Sequence, residues 1–73
     1  MIKFEEIKEE VYNIIKGNSG IAFTRIVDYL KEDTKKQLMS YWIGVVKQIV
    51  LELEEEKRIK SNLVHVSAKL SVV

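Results

Sequence analysis

The run from Asp33 to Arg58, DTKKQLMSYWIGVVKQIVLELEEEKR, is the stretch on which the rest of the chain must be organised. Leu38, Trp42, Val45, Val46, Ile49 and Leu53 recur in it at helical spacing, so they share one face. Thr34 with Gln37 three residues on reads as a capping box that opens the helix. Glu54, Glu55 and Glu56 close it. As one helix from Thr34 to Glu56 it measures about 34 Å, the width of a small domain, and everything else packs on it. Between Asp33 and Glu52 there is no acid, while Lys35, Lys36 and Lys47 are basic. A core face backed by an acid-free, lysine-bearing face points to nucleic acid.

The 73 residues make a single domain, 1–73, with little surface to bury. There is no cysteine, so neither a disulfide nor a thiolate zinc site is available, and a 47% hydrophobic content must supply the core. No apolar run approaches the roughly 20 residues of a membrane span, and no signal-peptide pattern opens the chain. The expected location is therefore intracellular: cytoplasmic and, for a DNA-binding chain, nucleoid-associated. The net charge of +1 hides a segregated pattern. Residues 34–48 carry three lysines and no acid, 49–56 carry four glutamates and no base, and 57–73 carry Lys57, Arg58, Lys60 and Lys69 with no acid.

Ahead of the long helix, residues 2–16 read as a first helix, with Phe4, Ile7, Val11, Ile14 and Ile15 on one face and Glu5, Glu6, Glu9 and Glu10 elsewhere. Gly17-Asn18-Ser19-Gly20 stops it. Its acidic pairs form a solvated face; calcium wants six to eight oxygens from a folded cage. Ile21-Ala22-Phe23 fits a short edge strand, and Thr24 caps a second helix over 25–31. A three-residue turn at Lys31-Glu32-Asp33 then gives a helix-turn-helix unit. After the long helix the period changes. Arg58-Ile59-Lys60 reads as a short strand and Ser61-Asn62 as the hairpin tip. Val64, Val66, Ala68, Leu70 and Val72 then alternate with His65, Ser67, Lys69 and Ser71 as a half-buried strand.

Three features together resemble the winged-helix family, the helix-turn-helix variant with a β-hairpin wing. They are the helix-turn-helix spacing from Phe23 to Leu38, the helix exit LELEEEKRI at 51–59, and the basic hairpin after it. The lack of cysteine and proline, with many Lys, Glu, Ile and Val, also looks like the small regulators of thermophilic archaea and their viruses. The resemblance implies an α+β fold: three helices and a small antiparallel wing, in the order helix-strand-helix-helix-strand-strand. It also implies sequence-specific binding of double-stranded DNA and a role in transcription regulation. Lys57 stands where the family usually leaves the helix through a glycine, and the wing lacks a long glycine-rich loop.

In the family's arrangement the stretch Thr34 to Lys47 enters the major groove. Lys36 and Lys47 then meet phosphates or guanine and Lys35 a phosphate, Gln37 meets adenine unless it caps, Ser40 meets a phosphate or base edge, and the Tyr41 hydroxyl meets a phosphate or simply water. Gly44 admits either a DNA backbone or a packed helix. Arg58, Lys60 and Lys69 neutralise flanking phosphates, and Trp42 belongs to the core. No nucleophile–base set or phosphate loop is present, so neither an enzyme nor a cofactor is expected. Met39, Ile43, Val50 and Leu51 carry the apolar surface past half the helix circumference, more than so short a chain can cover. The expected cover is a second copy in a homodimer, with Ile2, Phe4 and Val11 of the first helix contributing. The competing class is a winged-helix protein–protein module that docks through the same helix.

Overall fold

The computed structural model describes residues 3–61 and 69–73. Helix α1 spans Phe4–Gly17 and buries Ile7, Val11, Ile14 and Ile15. Asn18 ends it by donating its side-chain amide to the Ile14 carbonyl at 2.9 Å. Gly20 follows at φ +85, a left-handed turn open to glycine without a Cβ clash, and its N–H donates to the Leu70 carbonyl at 2.9 Å. The chain then enters β1, Ile21–Ala22.

A three-residue 3₁₀ turn, Phe23–Arg25, leads into α2, Ile26–Tyr29. Thr24 lies within the 3₁₀ turn, and no side chain caps α2, so the expected threonine cap is not used. Ile26 and Leu30 are buried, as their spacing requires.

The expected long helix is two helices. Helix α3 covers Glu32–Leu38, a 3₁₀ turn covers Met39–Tyr41, and α4 covers Trp42–Glu55. The break falls at Met39, whose φ of 49 and ψ of −128 lie in a region close to glycine-only, at a cost of roughly 1–3 kcal/mol. An unbroken rod would measure about 34 Å, and the folded domain's longest extent is 30 Å. Breaking it lets Leu38 and the stripe Val46, Ile49, Val50 and Leu53 reach one core. Trp42 is half-buried against that core and stacks on Phe23 with ring centroids 6.4 Å apart.

The start of α3 also differs from the capping box read in the sequence. Thr34 is inside the helix and fully buried, so it neither caps it nor reaches a groove. Its hydroxyl donates to Glu10 Oε1 at 2.9 Å, and the Lys31 N–H donates to Glu10 Oε2 at 2.8 Å. A carboxylate from α1 therefore caps α3 across the fold, where it also meets the positive end of the helix.

Helix α4 ends where the sequence placed its end, through the strained residue it supplied. Lys57 takes φ +61; its N–H donates to the Glu54 carbonyl, and the Arg58 N–H reaches back to the Leu53 carbonyl, each at 3.0 Å. This is the Schellman closure with lysine in the left-handed position instead of glycine. Strand β2, Ile59–Ser61, and strand β3, Lys69–Val72, follow. The three strands form an antiparallel sheet in the order β1-β3-β2. Ser61 pairs with Leu70, so Ser61 belongs to β2 and the two-residue tip at Ser61-Asn62 is overturned. The expected alternation from Val64 to Ala68 falls outside the described residues. Ile21, Ile59 and Leu70 point into the core, which places Lys60 and Lys69 on the solvent face. The architecture is α+β with a small antiparallel sheet, and no helix among the described residues is long and apolar enough to cross a membrane.

Candidate nucleic-acid interface

Helix α4 has two unlike sides. Val46, Ile49, Val50 and Leu53 face the core, with Trp42 and Val45 at its margins. The other side presents Ile43, Gly44, Lys47, Gln48 and Leu51 to solvent. Ser40 and Tyr41, on the turn leading into α4, are exposed as well, as are Lys36 and Gln37 on α3. The sequence pattern thus separated the outward set correctly. Val50 is the exception: it is only 1% exposed and belongs to the domain's own core, so it cannot face a partner. Val11 is fully buried in α1 for the same reason, Phe4 is 37% exposed, and Ile2 lies outside the described residues.

Gly44 is the informative position on this face. A Cβ built there meets no atom within 4 Å among the described residues, so no described helix packs against it. A mid-helix glycine costs about 1 kcal/mol relative to alanine. No contact among the described residues calls for that cost.

The cations expected at the interface divide into two groups. Arg58 is occupied. Its Nη1 and Nη2 donate to the two oxygens of Glu9 at 2.8 and 3.2 Å, Nη1 also lies 3.6 Å from Glu56, and its guanidinium carbon sits 4.1 Å from the centre of the Tyr12 ring. The guanidinium is thus engaged on three sides within the domain, while its side chain stays 31% exposed. Lys35 is half-buried and 3.8 Å from Glu32, a weak pair. Lys36, Lys47, Lys60 and Lys69 are exposed and have no ion-pair partner among the described residues.

The glutamates at the end of α4 are partly compensated from within. Lys8 of α1 has a side chain only 7% exposed; its ammonium hydrogen-bonds Glu56 and lies 3.5 Å from Glu52. The hydrogen bond to Glu56 raises the Lys8 pKa above its ordinary value against the lowering effect of burial. Hydrogen bonding to Lys8 lowers the Glu56 pKa, and hydrogen bonding to Arg58 lowers that of Glu9. The bond to Glu9 in turn raises the pKa of Arg58. Sequence reading missed this network and the Glu10 cap. Both join residues more than twenty positions apart, and the only local signal was a lysine flanking the apolar stripe of α1.

No group of three or more metal-ligating side chains comes together among the described residues. The carboxylates of α1 instead serve the fold: Glu9 holds Arg58 and Glu10 caps α3. Compared with known proteins, the chain matches no protein-family model, no curated protein and no solved structure.

Proposed function

We propose that this chain is a winged-helix domain that binds double-stranded DNA and regulates transcription, with the exposed face of α4 in the major groove. One observation carries the reading: from Trp42 to Leu51 that face holds no acid, centres on Lys47, and contains a glycine that nothing among the described residues packs against. Two further features support it. Two of the four acids at the end of α4, Glu52 and Glu56, are paired with Lys8 or Arg58. The order β1-β3-β2, with β2 and β3 following α4, suits a hairpin wing whose solvent face carries Lys60 and Lys69. Lys36, Ser40 and Tyr41 flank the reading face, and Lys60 and Lys69 meet phosphates. Such a role places the chain at the nucleoid, in the cytoplasm.

The test is a duplex-DNA titration at several salt concentrations. With three or four free lysines engaged per protomer, log K falls against log salt with a slope of roughly −3 to −4. Lys36→Ala with Lys47→Ala reduces that slope by about 2 while the fold is kept. A folded protein that binds no duplex at low salt sinks the reading.

Ile43 and Leu51, 53% and 39% exposed, favour a second reading in which the same face docks onto protein, a second copy included. With Val50 in the core, a homodimer through this helix rests on Met39, Ile43 and Leu51. It competes directly with DNA, since Lys47 and Gly44 lie between those residues. Light scattering with and without duplex separates the two.

A further inference from the structure

The exposed face of α4 carries little hydrogen-bonding chemistry for reading bases. Lys47 is its one free cation among the described residues, and the Gln48 amide donates to Glu52 of its own helix at 3.2 Å. What the face does carry is Ile43 four residues before Lys47 and Leu51 four residues after it. Residues four apart stack on one side of a helix, so the three form a single stripe about 12 Å long. Gly44 lies beside the stripe with open space above its backbone, so the helix can sink toward whatever the stripe touches.

The DNA major groove is about 12 Å wide, admits a helix, and exposes one apolar group on its base edges, the C5 methyl of thymine. We infer that Ile43 and Leu51 read thymine methyl groups on either side of a Lys47 contact to phosphate or guanine. This rests on the DNA reading of the same face and gives it a base preference: thymine recognised by methyl contact, without a hydrogen bond to adenine. Charge supports DNA over a protein occupant. An apolar protein surface would have to set an acid of its own between two apolar pockets to match Lys47, because removing an unpaired ammonium from water is costly. DNA supplies anions along its whole length.

The test compares short duplexes by fluorescence anisotropy: alternating d(A-T), the same duplex with deoxyuridine for thymidine, alternating d(G-C), and the same duplex with 5-methylcytosine. Burying one methyl group is worth about a fourfold change in affinity. Uracil therefore weakens binding by about fourfold for each methyl contacted, and 5-methylcytosine strengthens d(G-C) binding by a similar factor. The double variant Ile43→Ala, Leu51→Ala changes exposed residues only, keeps the salt slope, and loses both methyl effects. Equal affinity for thymine and uracil duplexes overturns the inference while leaving the DNA reading intact. Methyl effects that survive in the double variant overturn it as well, since they then arise elsewhere. A folded protein that binds none of the four duplexes overturns both readings.

Discussion

Replacing Gly44 by alanine separates what the fold needs from what the interface needs. In the folded domain the added methyl meets nothing within 4 Å, so it brings neither a clash nor a packing gain. What remains is helix propensity, which favours alanine by about 0.8–1.0 kcal/mol. For a domain of this size that raises Tm by roughly 4–8 °C. At the interface the sign reverses. If DNA comes to van der Waals distance of that backbone, a Cβ forces the helix outward, and overpacking of this kind costs about 1–3 kcal/mol, or a loss of tenfold or more in affinity. Thermal melts followed by circular dichroism and duplex titrations at one salt concentration read the two effects on the same protein. A lower Tm refutes the exposure of Gly44 and with it the register of α4. A higher Tm with unchanged duplex affinity refutes close approach at this face.

Glu10→Ala removes the cap of α3 and leaves the fully buried Thr34 hydroxyl and the Lys31 N–H without their acceptor; denaturant melts should show a loss of about 1–3 kcal/mol, and a loss under 0.5 kcal/mol would mean the cap is replaced by water. The ion network fixes the pH response: Glu9 and Glu56 have folded pKa values below their unfolded ones, so the stability they add is present above about pH 4.3 and is lost as pH falls through the folded values. Lys8 is shifted upward, so its share is complete below about pH 10 and is lost only above that. A Tm that is level from pH 6 to 9 and drops in acid, less steeply in Glu9→Gln, is the expected profile; a Tm unmoved down to pH 3 would discard the network as a source of stability.

The sequence made the two faces of α4 legible because burial follows the 3.6-residue period. Trp42, Val46, Ile49 and Leu53 went inward and Gly44 and Lys47 outward on spacing alone. Val50 was misplaced because it borders the stripe, and only the packing of neighbouring elements decides on which side a bordering residue falls. The break at Met39 was not legible. No glycine or proline marks it, and the residue at the break, Met39, takes a strained positive φ. Thr34 and Gln37 satisfied a local capping pattern, yet Glu10 arrives from another helix and takes the capping role. The exit from α4 shows the reverse case. Lys57 breaks the glycine rule, and the backbone takes the left-handed turn there nonetheless.

The ion network also bears on how α4 is held. Lys8 and Glu9 sit on consecutive positions of α1; Lys8 grips Glu52 and Glu56 on the last turn of α4, while Glu9 grips Arg58 at the entry to β2. One turn of α1 therefore fixes both the end of α4 and the start of the hairpin. Individually these pairs lie near the surface and contribute little to stability. Their geometric effect is larger, because a bidentate guanidinium–carboxylate pair holds orientation as well as distance. Arg58, paired to Glu9 and laid over Tyr12, ties the start of β2 to α1. Under the proposed DNA reading, the phosphate contacts are assigned to Lys36, Lys47, Lys60 and Lys69, point charges on flexible stems that have no ion-pair partner among the described residues.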